Sequence, residues 1–296
     1  MVDQEIAKKI ESHLNLAWVY FKQDLLEDSS SELHEVLKLD KGNKKSLKLL
    51  SDIFMKKGDV DKAESILSQI LALDEKDNEI LEEMGKLQYR KGNLKGSIGY
   101  FAKCLKNGYS NLDIYIHIAN IFKTLGNYPK ALAAVKNALK LDPENGGAMI
   151  LGGEIYLLTD NYEEAIGLYE KMLKGDEENL DLYKTLGSIY MFQKKYEEAI
   201  EIFKKANELF PDDLGVLNNA ALSYYKEEKH RTAIKIFKFL VEKSPDDHEI
   251  HSNLGNVYMK LGQLHDALSC FLDASHLRPK DVRLLTSIGV IYENMD

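Results

Sequence analysis

His248 and His251 stand one helical turn apart, a spacing at which two imidazoles could share a metal ion. A closed zinc site needs about four ligands. No cysteine or third histidine falls within reach on the same helix, and His265 belongs to the following one. The two histidines therefore read as a surface pair without a metal. Glu163-Glu164 and Glu197-Glu198 set carboxylates side by side, as acid–base chemistry would require. They recur at equivalent positions of a repeat, which makes them helix-start residues favoured by the helix dipole. Cys104 and Cys270 are too few and too far apart for a disulfide framework or a metal knuckle. Each lies in a helical apolar pattern, where a free cysteine behaves as a small hydrophobe and fits a reducing compartment. No phosphate-cradling glycine loop, zinc-protease helix or calcium loop is present. The expectation is a protein that is not an enzyme and needs no cofactor or metal.

The 296 residues are 44% hydrophobic and 29% charged, with a formal net charge of −9. That charge argues against nucleic acid, which is bound through clustered Lys and Arg. It also makes an acidic partner or an anionic membrane a poor first choice. No stretch reaches the ~18 consecutive apolar residues of a membrane span. The start, Met1-Val2-Asp3-Gln4-Glu5, lacks the basic and apolar segments of a secretory signal. A cytoplasmic location with no direct membrane insertion is expected.

What organises these residues is a repeat. Small side chains recur every 34 residues at Ala17, Ser51, Gly85, Ala119, Gly153, Gly187, Ala221, Gly255 and Gly289. Three positions after most of them stands an aromatic: Tyr20, Phe54, Phe122, Tyr156, Tyr190, Tyr224, Tyr258 and Tyr292. A second small series runs Ser29, Ala63, Ser97, Ala131, Ala165, Ala199, Ala233 and Ala267. Large residues follow four later, as in Leu67, Phe101, Tyr169, Phe203, Phe237 and Phe271. Spacings of three and four place these side chains on one helical face. The small residues let two helices approach, and the large ones fill the space between them. Gly58, Gly92, Gly126 and Gly262 fall where a left-handed residue would close the first helix. Asp59, Asn93, Asn127 and Asn161 are placed to cap the second, Asn161 with Glu164 having the spacing of a capping box. Pro143, Pro211, Pro245 and Pro279 share one position after the second helix, where a helix should stop.

On these residues the chain resembles the tetratricopeptide repeat family, most closely at Leu186-Gly187, Tyr190, Ala199, Phe203, Ala206 and Pro211. The resemblance implies an all-α fold, an α-solenoid forming a right-handed superhelix of about eight helix-turn-helix units. Residues 1–296 are expected to form one solenoid. Its units are 10–43, 44–77, 78–111, 112–145, 146–179, 180–213, 214–247 and 248–281, with a partial unit, 282–296. The first unit departs from the pattern, because the Ser-rich, acidic stretch from Asp24 to Ser31 replaces the usual turn.

In this family the first helix of each hairpin lines a concave face that binds peptides. Carried onto this sequence, those positions give two regions. Asn218, Asn219, Tyr225, Lys226, Asn253, Asn256, Lys260 and Arg283 form a polar one. Asn219 and Asn253 take the same position in consecutive units and resemble part of the asparagine ladder of the O-GlcNAc transferase repeats. An amide can donate to a peptide carbonyl and accept from its N–H at once. The family's dicarboxylate clamp is incomplete: Asn253 and Arg283 fit it, whereas Asn218, Leu222 and Ser287 do not. Ile150, Leu151, Leu157, Leu158, Met191 and Phe192 form an apolar region in excess of the core positions, the kind of surface that binds a helix or anchor. Trp18 takes an equivalent position in the first unit.

The resemblance thus implies a scaffold or adaptor that holds an extended peptide or amphipathic helix of another protein. Leu285, Ile288, Gly289, Ile291 and Tyr292 form a last first-helix with no second helix after it. Either the chain is part of a longer protein or this open end packs against another copy. Two rival readings follow: a scaffold that oligomerises end-into-groove, and the targeting region of a larger enzyme such as a glycosyltransferase. Gly146, Gly147, Gly152 and Gly153 crowd one helix, and each interior glycine costs about 1 kcal/mol against alanine. That helix is expected to be the softest in the chain, with the fastest amide hydrogen exchange.

Overall fold

The computed structural model describes residues 2–295, and among them there are seventeen helices and no strand. They form two compact units, one ending at Leu151 and the other starting at Gly152. The first unit holds the hairpins α1 (Val2–Lys22) with α2 (Leu26–Leu39), α3 (Lys44–Lys56) with α4 (Val60–Leu73), α5 (Asn78–Arg90) with α6 (Leu94–Lys106), and α7 (Leu112–Thr124) with α8 (Tyr128–Leu141). The glycine-rich helix α9 (Gly146–Leu158) contains the boundary. The second unit continues with α10 (Tyr162–Gly175), then α11 (Leu180–Phe192) with α12 (Tyr196–Leu209), and α13 (Leu214–Lys226) with α14 (His230–Lys243). It closes with α15 (His248–Lys260), α16 (Leu264–Leu277) and α17 (Val282–Met295). From α3 onward each first helix begins 34 residues after the one before, and the second helices keep the same interval.

The turns explain that regularity. Gly58, Gly92, Gly126 and Gly262 all adopt positive φ, and the following amide reaches back to close the first helix, as Asp59 N–H does to the Phe54 carbonyl at 2.9 Å. Asp59, Asn93 and Asn127 then accept from the backbone N–H three residues on and start the second helix. Asn161 does not. Its side chain makes no cap bond and its amide donates to Thr159 Oγ1 at 2.8 Å, so the expected capping box does not form. The first turn also differs from expectation. Asp24 takes the left-handed position (φ 61), the turn has the ordinary length, and the Ser-rich stretch lies within α2. There Ser29 replaces alanine by donating to the Ala17 carbonyl at 2.7 Å, and Ser97 does the same to Gly85.

Lys194 and Glu228 hold the left-handed turn position elsewhere occupied by glycine, at φ 60 and φ 59. The Cβ makes that conformation costly for an L-residue. Lys194→Gly and Glu228→Gly should each raise stability by about 0.5–1 kcal/mol, the relief of strain exceeding the entropy that glycine adds to the unfolded chain. Urea unfolding midpoints above that of the parent protein check this.

Within each unit the hairpins share an apolar interior. Leu47, Leu50, Ile53, Ile66, Leu67 and Ile70 form one buried cluster, and Phe101 with Leu81, Cys104, Ile114 and Ile121 another. In the second unit Phe203 is buried with Tyr183, Ala199 and Val216, and Phe237 and Phe271 with Leu254 and Val257. Rings lie directly against the small residues. A Cβ on Gly85, Gly153 or Gly187 would collide with Phe101, Tyr169 or Phe203. Neighbouring first helices also touch, α1 with α3 and α5 with α7 in one unit, α11 with α13 and α13 with α15 in the other.

Ion pairs tie successive hairpins at their turns. Lys57 meets Glu27 at 2.8 Å, Lys91 meets Asp61 at 2.7 Å and Glu64 at 2.6 Å, and Lys195 meets Glu163 at 2.5 Å. The acid at the start of one second helix thus receives a lysine from the turn of the next hairpin. Such exposed pairs are worth about 0–1 kcal/mol each. Glu163 and Glu197 both serve this role, Glu197 reaching Lys229 at 3.5 Å.

Two adjacent carboxyls in α5 behave oppositely. Burial opposes the charge on Glu82, but hydrogen bonds from Lys86, Asn111 and Tyr109 outweigh it and hold its pKa below the usual carboxylate range. Burial lifts Glu83 above that range, Lys48 at 3.4 Å opposing and Asp52 adding to the effect. A lowered folded-state pKa supplies stability at neutral pH that fades as pH falls through it, and a raised one costs stability until the group is protonated. Glu82→Gln should therefore lower the unfolding midpoint at pH 7 and Glu83→Gln should raise it. The gap between the two variants should narrow toward pH 4.

Candidate functional site

The first helices of the second unit carry most of the expected binding residues. Asn218 projects from α13, Asn253 and Asn256 from α15, and Arg283 from α17. Together with Leu222, Ser252 and Ser287 they line a polar cavity of about 470 Å³. Asn253 Nδ2 lies 3.4 Å from Asn218 Oδ1, so two of the amides meet across successive hairpins. Among the described residues no hydrogen bond engages the side chain of Asn219 or Asn256, and both are half-buried. Arg283 is paired with Asp281, Nη2 to Oδ2 at 3.2 Å, which lowers the Asp281 pKa. Neutralised in this way it is a poor receptor for a free carboxylate.

Tyr225 and Lys226 end α13, the ammonium 5.5 Å from the ring centroid, and Lys260 ends α15. Both lysines are exposed, and no ion pair holds either among the described residues. Lys184, by contrast, is held by Asp213 at 2.9 Å.

The apolar residues are placed unequally. Leu158 is 57% exposed and Phe192 71%, both at the last position of their first helices. The Phe192 ring rests 5.4 Å from that of Tyr162, and Leu157, Tyr162, Ser188, Ile189 and Phe192 border an open cavity of about 520 Å³. Leu157 is half-buried against the Ala165–Tyr169 cluster, and Met191 is half-buried with its sulfur accepting from Ser223 Oγ at 2.8 Å. In the first unit Ile150 is 42% exposed, whereas Leu151 is buried, contrary to expectation. The reason is helical phase: one residue turns the side chain about 100° from the surface into the core. Trp18 is exposed, with the Lys22 ammonium 5.1 Å from its ring centroid.

The groups first weighed for chemistry have structural employment. His251 is buried and its Nε2 donates to the Pro245 carbonyl at 2.8 Å. Burial pushes the thiols of Cys104 and Cys270 up to about 11, where the thiolate nucleophile is scarce.

Family models described as tetratricopeptide repeats match residues 118–179, and residues 31–87 and 224–287. The chain belongs to the tetratricopeptide repeat family. A further model, anaphase-promoting complex, cyclosome, subunit 3, matches residues 159–240 of this repeat protein. No curated protein matches it. Among solved structures it is similar to the C-terminal part of a tetratricopeptide protein from Cytophaga hutchinsonii, with 15% identity and a TM-score of 0.68 over 80% of this chain and 98% of that one. It is also similar to YrrB, described as having an unusual peptide-binding site, at 24% identity and a TM-score of 0.50 over 63% of this chain and 96% of that one. MamA 41-end from Desulfovibrio magneticus RS-1 resembles it at 19% identity and a TM-score of 0.50, over 57% and 97% of the two chains. At these identities the likeness is one of fold. That fold is a scaffold for protein–protein interaction, typically non-catalytic. Among the described residues no helix is long and apolar enough to cross a membrane.

Proposed function

We propose that this chain is a non-enzymatic cytoplasmic adaptor that holds a peptide segment or helix of another protein on the face built by its first helices. The carrying observation is the pair Leu158 and Phe192, two large apolar side chains left mostly in water at the same position of consecutive hairpins, Phe192 bordering an open cavity. Exposed apolar surface of this kind costs solubility and is kept where a partner covers it. The amides of Asn218, Asn219, Asn253 and Asn256 supply the complementary need, donors and acceptors for a partner's main chain.

Affinity capture tests this with the intact chain beside Asn219→Ala with Asn253→Ala, and Leu158→Asp with Phe192→Asp. The reading requires that at least one double variant lose a partner held by the parent. Retention of every partner by both would move the site off this face.

Self-association is the second reading, and α17 favours it. Val282, Leu285 and Tyr292 are exposed, and among the described residues nothing beyond the local backbone of α17 lies within 4 Å of where a Gly289 Cβ would be, although rings fill that space at Gly85, Gly153 and Gly187. Light scattering at several concentrations separates the two, since only self-association raises the mass with concentration.

A further inference from the structure

The last position of the first helix reads Leu158, Phe192, Lys226 and Lys260 through the second unit. These four residues end α9, α11, α13 and α15 at one height, so they form a single line that is apolar at one end and cationic at the other. Both halves are unsatisfied: Leu158 and Phe192 are mostly exposed, and neither lysine is ion-paired among the described residues. A lysine in a helix's last turn is ordinarily explained by the dipole. Lys56, at the end of α3, does however find an acid, Asp24 at 2.9 Å. Lys226 and Lys260 do not, although Glu227 and Glu228 follow Lys226 in the turn and Asp266 lies in α16 after Lys260. The net charge of −9 does not override this local field, because charges beyond about 8 Å are screened at physiological salt.

We propose that this line takes an extended peptide with an apolar anchor followed, within about six residues, by two carboxylates, the anchor on Leu158 and Phe192 and the acids on Lys226 and Lys260. The spacing follows from packed helices about 10 Å apart and an extended chain that advances about 3.3 Å per residue, so each hairpin is crossed in about three residues. Asn219 and Asn253 stand about two turns before Lys226 and Lys260 on the same helices, and their amides suit the main chain of such a segment. This assignment rests on the adaptor reading and gives its partner a chemistry and a direction.

The test uses the intact chain and a fluorescent synthetic peptide with a Leu-Phe pair followed by two glutamates at three-residue intervals. Two controls replace the glutamates by lysines or the Leu-Phe pair by serines. Anisotropy should show the acidic peptide bound at least tenfold more tightly than either control. Lys226→Glu with Lys260→Glu should reverse the preference between acidic and basic peptides, and thermal unfolding should confirm that the variant is folded. Equal binding of all three peptides, no binding of the acidic one at millimolar concentration, or an unchanged preference in the variant would overturn the assignment. Vesicles of phosphatidylcholine and phosphatidylserine form a separate arm. Sedimentation with them, lost in the lysine variant while the acidic peptide fails to bind, would overturn it in favour of a membrane surface. If natural partners are lost from Leu158→Asp with Phe192→Asp while the peptides are not discriminated, the adaptor reading survives and this assignment falls.

Discussion

Replacing Phe203 by alanine should destabilise the second unit by about 3–5 kcal/mol, the range for a fully buried aromatic cut back to a methyl group. The ring is wholly buried and its far end lies against Gly187, with Tyr183, Ala199, Ala206 and Val216 around it. Collapse into the vacated space is blocked, because α11 and α12 are also packed against α13. The void therefore persists, and its cost adds to the lost transfer of the ring out of water. In a repeat array each hairpin is stabilised by its neighbours, so the loss should spread beyond α12. Urea unfolding should show a lower midpoint, and hydrogen exchange should rise in α11 and α13 together with α12. An effect below about 1 kcal/mol would mean that the ring is not the keystone of this interface. Gly187→Ala approaches the same contact from the other side. Its methyl group meets the Phe203 ring, and overpacking should cost about 1–3 kcal/mol.

Leu158→Asp with Phe192→Asp should abolish partner capture while leaving the fold intact. Both side chains already face water, so an aspartate there breaks no core contact, apart from the Phe192 ring resting on Tyr162. A buried apolar anchor in an interface is commonly worth 2 kcal/mol or more, about thirtyfold in affinity. Two anchors replaced by charges that a partner must desolvate should exceed a hundredfold. Unchanged circular dichroism and thermal unfolding, together with loss of the captured partner, form the expected result. Retention of the partner at parental affinity would show that the exposed pair is not the contact.

How much of this was legible beforehand depends on the distance over which each feature is decided. The 34-residue interval, the left-handed glycines, the caps at Asp59, Asn93 and Asn127, and the rings placed over small residues could all be read from residue type and spacing. Each is settled within one hairpin by backbone sterics and helical period, which a linear sequence displays. The exposure of Ile150, Leu158 and Phe192 could be read from helical phase, whereas Leu151, read the same way, is buried.

Tertiary structure alone decided the rest. Asn161 and Asn127 occupy equivalent positions, yet only Asn127 caps its helix, because Thr159 offers Asn161 another partner. Glu82 and Glu83 are neighbours in sequence, yet one is held charged by Lys86 together with Asn111 and Tyr109 from beyond its hairpin's second helix, while burial pushes the other toward its neutral form. Ile150 and Leu151 differ by one residue in phase, and that difference separates surface from core. Leu158, Phe192, Lys226 and Lys260 share one repeat position, and among the described residues no acid of a neighbouring hairpin forms an ion pair with the two lysines. Local spacing determines which element forms and which side faces inward. What that side then meets belongs to residues some 30 positions away, and only packed coordinates bring them together.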